Sequence, residues 1–156
     1  MSINGRYAEI KPNDVVDGEG ICVSFWVQGC PFHCNGCHNP TTWSFDGGYP
    51  FTEKTMDQLL MLILKNGIKR NFSILGGEPL CPENLEMTTF VVHIIRQTYP
   101  DIKIYLWTGY IYENIQHLPV LKDVDILIDG QFDLAHRDIT LKLRGSPNQR
   151  IIKLYK

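Results

Sequence analysis

Three cysteines fall within eight residues in the stretch Gly29-Cys30-Pro31-Phe32-His33-Cys34-Asn35-Gly36-Cys37-His38-Asn39. Thiolates at this density favour an iron–sulfur cluster or zinc, and a proline and a glycine between them let the backbone curl around a common centre. A structural zinc site or an electron-carrying four-iron cluster normally takes four protein ligands, whereas a catalytic centre keeps one position open. The pattern therefore makes Cys30, Cys34 and Cys37 candidate ligands of a four-iron cluster with one iron open to substrate.

A second motif, Gly76-Gly77-Glu78-Pro79, follows a predicted strand about forty residues further on. Two glycines at a strand end let the backbone approach a ligand closely, and carbonyls or a carboxylate there suit a cationic amino group. A Gly-Gly-x-Pro run also commonly marks only a turn. The motif alone therefore leaves both interpretations open.

Together the two motifs resemble the signature of the radical S-adenosylmethionine (SAM) enzymes. The resemblance implies a [4Fe-4S] cluster on Cys30, Cys34 and Cys37, with SAM chelating the open iron through its amino and carboxylate groups. It further implies that SAM is cleaved reductively to methionine and a 5′-deoxyadenosyl radical. By the same resemblance, the residues that contact SAM are Gly36, Cys37, His38, Gly76, Gly77, Glu78 and Thr108. Two alternatives stay open for His38, which would be the fourth ligand of a Cys3His zinc site or a solvated loop histidine.

Further runs resemble the activating enzymes of anaerobic (class III) ribonucleoside-triphosphate reductases. These runs are Val16-Asp17-Gly18-Glu19-Gly20, Gln28-Gly29-Cys30, Cys37-His38-Asn39-Pro40, Leu106-Trp107-Thr108-Gly109-Tyr110, Ile128-Asp129-Gly130-Gln131-Phe132 and Arg144-Gly145-Ser146-Pro147-Asn148-Gln149-Arg150. The resemblance implies abstraction of an α-hydrogen from a glycine of the reductase, with electrons from a flavodoxin- or ferredoxin-like donor. Glu19 departs from the pattern, because such activases often have proline there. The alternatives are an activase of pyruvate formate-lyase type and a non-catalytic zinc-binding adaptor.

The chain has 156 residues, 44% of them hydrophobic, and a net charge of −2. This size predicts a single domain, residues 1–156, with a substantial core. The charge predicts no nucleic-acid partner, and the absence of a long apolar run predicts no membrane span and a cytoplasmic location. Five cysteines, three of them clustered, indicate reduced thiols, and Cys22 and Cys81 are predicted to be buried and outside the cluster.

The periodicity predicts alternating strands and helices. Strands are expected at 6–11, 21–27, 71–75, 102–107 and 124–129, and helices after Thr52, from Pro82 to Pro100, and at 111–117. The segment 39–50 is expected to be an ordered loop against the cysteines, and the tail two edge strands, 139–143 and 151–155. The run 144–150 between them is either a polar hairpin turn or a partner-binding edge.

Alternation of this kind predicts an α/β fold with parallel strands and right-handed crossovers. A full eight-unit barrel needs about 250 residues, so this chain can hold only part of one. The family resemblance implies a trimmed, laterally open partial β/α barrel of radical SAM type. Each candidate motif follows a strand, at the end where such folds place their sites.

Overall fold

The computed structural model describes residues 3–34 and 40–154. Its strands are β1 (Arg6–Asp14), β2 (Cys22–Val27), β3 (Tyr49–Pro50), β4 (Asn71–Gly76), β5 (Ile104–Trp107), β6 (Ile126–Asp129) and β7 (Arg150–Lys153). Its α-helices are α1 (Glu53–Ile63), α2 (Pro82–Thr98) and α3 (Tyr112–Ile115). Short 3-10 turns lie at 40–42, 65–67, 119–123 and 134–136.

The seven strands form one open sheet in the order β3-β1-β2-β4-β5-β6-β7. Strands β2, β4, β5 and β6 run parallel to one another, which confirms the prediction of parallel strands with helical crossovers. Strands β1, β3 and β7 pair antiparallel, so the whole is a mixed α/β sheet. A mixed sheet was not predicted, because antiparallel pairing of β1 depends on tertiary contacts that period-two alternation does not report.

The predicted helix boundaries rest on local capping. The Thr52 side chain accepts a hydrogen bond from the Thr55 backbone N–H (3.4 Å), and Thr55 Oγ1 accepts one from the Thr52 N–H (3.1 Å). This reciprocal pair satisfies N–H groups that the first turn of α1 would leave unpaired. Pro82 stands in the first turn of α2, where its missing N–H costs nothing.

The tail differs from the prediction. Residues 139–143, expected as an edge strand, form turns and bends, and only Arg150–Lys153 pairs with β6. Leu143 takes a left-handed conformation (φ 63°), and Asp138 Oδ1 accepts a hydrogen bond from the Thr140 N–H, so local turn bonds replace a strand ladder. In the segment expected to be a loop after the cysteines, Tyr49 and Pro50 form the short strand β3 against β1.

All three helices pack on one face of the sheet, called here the outer face. Its alternating strand residues join α1, α2 and α3 in one apolar core that includes Val23, Phe25, Phe72, Ile74, Ile104, Leu106, Leu59, Val91, Ile95 and Ile115. The inner face carries Ser24, Trp26, Ser73, Leu75, Tyr105 and Trp107, as the period of two along a strand requires. Two segments cover the inner face, the acidic loop (residues 14–20) and the tail loop (residues 133–149). In the described part of the chain, no helix combines the length and apolar composition that a membrane crossing requires.

Candidate cofactor site

The predicted site residues follow three neighbouring parallel strands. Cys30 comes shortly after β2, Gly77 and Glu78 after β4, and Thr108 after β5. Because parallel strands present their carboxyl ends at the same edge of a sheet, these residues converge there. A cavity of about 580 Å³ lies at this edge and is lined by Cys30, Cys34, Gly76, Gly77, Glu78, Thr108, Gly109, Gly130 and Gln131, among others.

Of the predicted site residues, six line this cavity, namely Cys30, Cys34, Gly76, Gly77, Glu78 and Thr108. Gly36, Cys37 and His38 lie outside the described residues. Within residues 3–34 and 40–154, no group of three or more His, Cys, Asp or Glu side chains could hold a metal ion. The described residues thus supply two of the three predicted thiolates.

The cysteines divide into two kinds by environment. Cys30 and Cys34 are partly exposed thiols at the cavity, whereas Cys22 and Cys81 are fully buried, as predicted. Burial raises the pKa of Cys22 to about 11 and that of Cys81 to about 12, so both remain protonated thiols at neutral pH. Burial also raises the pKa of Cys30, but hydrogen bonds from the backbone of Phe32 and His33 oppose it.

A bracing loop, residues 40–48, contacts the described part of the cysteine loop, residues 29–34. The backbone N–H of Gly29 donates to the Thr42 carbonyl (2.6 Å), and that of Cys30 donates to the Trp43 carbonyl (3.1 Å). The His33 and Trp43 rings stack with their centroids 4.6 Å apart. These contacts confirm, for the described residues, the prediction of an ordered loop against the cysteine run.

The Gly-Gly-Glu motif contacts the chain just before the first cysteine. The Gly77 N–H donates to the Val27 carbonyl (2.9 Å), and the Glu78 N–H donates to the Gly29 carbonyl (2.8 Å). A Cβ atom on Gly77 would lie only 2.3 Å from the Gly29 carbonyl oxygen. The absence of a side chain on Gly77 therefore permits its close approach to the backbone of Gly29.

The Glu78 side chain joins the end of β4 to the end of β5. It is 1% exposed, and its Oε2 accepts hydrogen bonds from the Leu80 N–H (2.9 Å) and the Thr108 hydroxyl (2.7 Å). Its Oε1 accepts a hydrogen bond from the Gly109 N–H (2.7 Å). Burial raises the pKa of Glu78 to about 7, although these three hydrogen bonds act in the opposite direction.

Comparison with known proteins identifies the family to which the chain belongs. Residues 16–152 match the family model described as a 4Fe-4S single cluster domain. The anaerobic ribonucleoside-triphosphate reductase-activating protein of Pasteurella multocida (strain Pm70) is 37% identical over 153 residues, which cover 95% of this chain and 97% of the relative. The chain belongs to the family of anaerobic ribonucleoside-triphosphate reductase-activating proteins. The family member from Enterobacteria phage T4 is 40% identical over 147 residues (94% and 92% of the two chains), and that of Escherichia coli (strain K12) is 36% identical over 147 residues (92% and 96%).

The donor set at the cavity suits the cluster that the family model describes. Thiolates are the usual ligands of iron–sulfur clusters, and Cys30 and Cys34 both line the cavity. Hydrogen bonds from backbone amides to a ligand sulfur, of the kind made to Cys30, stabilise thiolate charge. The residues of this activating-protein chain therefore fit a four-iron cluster at this edge of the sheet.

Two buried amide side chains that sequence reasoning missed fix the cysteine loop in place. Gln28 is 3% exposed, and its Nε2 donates to the carbonyls of Thr41 (3.0 Å) and Ser44 (2.8 Å) in the bracing loop. Asn84, in the first turn of α2, is 2% exposed and donates to the carbonyl of Gly29. These three carbonyls lie 13 to 55 residues away along the chain, so no local sequence pattern could have indicated the contacts.

The inner face and its two covering loops form the cavity wall away from the cysteines. Trp26 and Trp107 line it, with Lys11 Nζ lying 4.5 Å from the centroid of the Trp26 ring, and the Trp107 indole N–H donates to the Leu143 carbonyl (2.7 Å). The hydrogen bond from Trp107 ties the tail loop to β5. The wall is therefore aromatic, with basic and acidic groups at its border.

The acidic loop carries two carboxyl groups, Asp14 and Asp17, whose pKa values are shifted in opposite directions. Burial and the hydrogen bond with Asp14 raise the pKa of Asp17 to about 7. Burial also acts to raise the pKa of Asp14, but hydrogen bonds from Asp17 and from the Val16 amide outweigh it and lower this pKa to about 2. At neutral pH Asp14 is therefore ionised, whereas Asp17 is about half protonated.

Proposed function

We propose that this protein activates an anaerobic ribonucleoside-triphosphate reductase by abstracting an α-hydrogen atom from one glycine of that enzyme. When a reduced [4Fe-4S] cluster and SAM are bound, they supply a 5′-deoxyadenosyl radical, and this radical chemistry belongs to the cofactors. The observation that carries the proposal is the direct backbone contact between Glu78 and Gly29, which joins the Gly-Gly-Glu motif to the cysteine loop at one cavity. Relatives at 36% and 40% identity are named as activating proteins of this reductase, which supports the same activity and the same partner.

In this proposal Cys30, Cys34 and Cys37 hold three irons and leave the fourth for SAM. Support comes from the two described thiols at the cavity and from the match to a 4Fe-4S domain. The proposed contacts of SAM are Gly36, Cys37, His38, Gly76, Gly77, Glu78 and Thr108. For the last four, support comes from their place in the cavity wall.

Two of the proposed SAM contacts, Glu78 and Thr108, already use most of their side-chain hydrogen-bonding positions within the protein. Three of the hydrogen-bonding positions of the Glu78 carboxylate are already used by protein donors. The Thr108 hydroxyl donates to Glu78 and accepts from the Tyr110 N–H (3.1 Å). In the proposal, backbone atoms of Gly76 to Glu78 therefore contact the methionine end of SAM, while the Glu78 side chain keeps the ends of β4 and β5 together.

Access for a protein substrate follows from the open sheet. We propose that residues 1–156 act as one laterally open partial β/α barrel, since the inner face is covered by loops while the helices pack on the outer face. A loop of the reductase enters along this side and brings its glycine within about 3–3.5 Å of the reacting carbon, the range that near-attack geometry requires. A glycine suits this approach because its α-carbon carries no side chain. A flavodoxin- or ferredoxin-like protein donates the electron.

The test is an anaerobic mixture of the reduced, cluster-loaded protein with SAM and a reductase whose glycines carry deuterium at the α-carbon. Deuterium is expected in 5′-deoxyadenosine while a carbon-centred radical signal grows on the reductase. A matched reaction uses Cys30→Ala in place of the unchanged protein and is expected to give neither. Cleavage of SAM without label transfer or radical signal contradicts the proposed partner. The same experiment with pyruvate formate-lyase in place of the reductase then tests the nearest alternative.

A further inference from the structure

The side chain of Asn84 connects the two halves of the site. Its Nδ2 group donates to the carbonyl of Gly29 (3.1 Å) and to the carbonyl of Glu78 (2.9 Å). Gly29 immediately precedes the first cysteine of the cysteine loop, and Glu78 is the last residue of the Gly-Gly-Glu motif. Both hydrogens of one amide are thus used, one on each motif.

The position of this amide is set by a helix and not by either loop. Asn84 lies in the first turn of α2, and its backbone N–H donates to the Cys81 carbonyl (2.9 Å). Met87, Val91 and Ile95 of the same helix are fully buried in the core of the outer face. Asn84 therefore links both segments to a helix whose position is fixed by core packing.

The contact is also closed to solvent. Asn84 is 2% exposed, so water cannot readily replace its two hydrogen bonds. The Gly29 carbonyl accepts from both Asn84 and the Glu78 N–H (2.8 Å), which gives a three-way contact at one oxygen. A change at Asn84 therefore alters the relative placement of Gly29 and Glu78 before it alters either strand.

We propose that Asn84 is a positioning residue that sets the distance and orientation between the cysteine loop and the SAM-contacting backbone. Asn84 does not line the cavity, and it acts through the carbonyls of Gly29 and Glu78. The inference rests on the proposed function, because it assigns those two segments to the cluster and to SAM. Its consequence is that loss of the amide weakens SAM binding at the cluster while the three thiolates still bind iron.

The main variant is Asn84→Leu, which keeps similar volume and removes both donors. Its matched control is Thr88→Val, four residues later on the same helix. Thr88 is fully buried, and its hydroxyl has no hydrogen-bond partner among the described residues. Both variants therefore remove a buried polar group from α2, but only the first removes a bridge between the motifs.

Three quantities are measured on anaerobically reconstituted protein: iron and sulfide per chain, the dissociation constant of SAM, and the electron paramagnetic resonance spectrum of the reduced cluster with and without SAM. For Asn84→Leu we expect iron near the level of the unchanged protein, SAM affinity reduced about tenfold, and a smaller spectral change on adding SAM. For Thr88→Val we expect all three to match the unchanged protein. SAM affinity and spectra of Asn84→Leu that equal those of Thr88→Val would overturn the inference.

Asn84→Ser provides a second measurement if the leucine variant does not fold or load iron. Its shorter side chain keeps one donor, so we expect SAM affinity reduced by several-fold with iron retained, and full affinity in this variant overturns the inference. The outcome is separable from that of the proposed function. Unchanged protein that binds SAM but forms no deuterium-labelled 5′-deoxyadenosine from the reductase counts against the proposed function alone. Label transfer by the unchanged protein, together with an unaffected Asn84→Leu variant, counts against this inference alone.

Discussion

Replacement of Gly77 by alanine is expected to destabilise both the fold and the cysteine loop. The added Cβ would lie 2.3 Å from the oxygen, 2.8 Å from the carbon and 3.0 Å from the nitrogen of Gly29, whereas ordinary contacts begin at 3.4 Å. The Gly29 backbone must therefore move by roughly 1 Å, a displacement that overpacks the site. It is held in place by its hydrogen bonds to Thr42 (2.6 Å), Glu78 (2.8 Å) and Asn84 (3.1 Å).

The magnitude follows from two terms. Overpacking a well-filled site costs about 1–3 kcal/mol, and distortion of a buried hydrogen bond adds about 1 kcal/mol, so Gly77→Ala is expected to lose about 2–4 kcal/mol of unfolding free energy. The control is Gly67→Ala, where φ is +73° but a Cβ meets no atom within 4 Å. That change carries only the left-handed backbone penalty of about 1–2 kcal/mol.

Urea unfolding of the metal-free proteins under reducing conditions measures both losses. Iron content after reconstitution is measured in parallel, and we expect it to fall in Gly77→Ala and to stay unchanged in Gly67→Ala. The reasoning is refuted if Gly77→Ala is no less stable than the control and loads the same amount of iron. That result would show that the Gly29 backbone can move without consequence for the cysteine loop.

Two further predictions concern single side chains. Cys30→Ala is expected to abolish a redox-active cluster, because two remaining thiolates anchor it too weakly, while Cys22→Ala keeps it; equal iron loss in both variants would contradict this division of the cysteines. Asp17 has a folded pKa of about 7 against an ordinary value of 3.8, so the folded protein binds the proton more tightly and its contribution to stability, complete below pH 4, is lost as the pH rises to 7. Between pH 4 and 7, the unfolding free energy of the metal-free protein should therefore fall more steeply than that of Asp17→Asn, by up to about 1.4 kcal/mol per pH unit. Parallel curves for the two proteins would argue against the shifted pKa.

The parts of the fold that sequence could predict are those controlled locally. The Thr52 cap, the proline at the start of α2 and the apolar strand 22–27 each depend on neighbouring residues, and each appears close to its predicted position. The parallel pairing of β2, β4, β5 and β6 followed from the alternation of strands with helices. The prediction for 139–143 was wrong because apolar residues there alternate as in a strand, while turn bonds and the left-handed Leu143 shape the backbone.

The site shows the same division. The sequence predicted that the two motifs converge, because each follows a parallel strand. Cys30, Cys34 and residues 76–78 do line one cavity. The contacts that hold the motifs together were beyond sequence reasoning. Asn84 reaches Gly29 across 55 positions, and a single asparagine near a helix start is more typical of local capping. Long-range hydrogen bonds of this kind depend on tertiary packing, which residue periodicity does not encode.

The placement of all three helices on the outer face has a consequence for the motions of the protein. The tail loop is held to the strands through individual hydrogen bonds, such as those from Trp107 to Leu143 (2.7 Å) and from Gln149 to Gly130 (3.1 Å), and through the packing of Leu143 on a small apolar cluster that includes Tyr105. The large apolar core lies on the opposite side of the sheet. Lifting this segment breaks a few bonds and leaves the core packed, so it belongs to the sub-global openings that precede unfolding. Backbone amides of residues 133–149 should then exchange with deuterated solvent much faster than those of β4 and β5, which exchange only when the whole sheet opens.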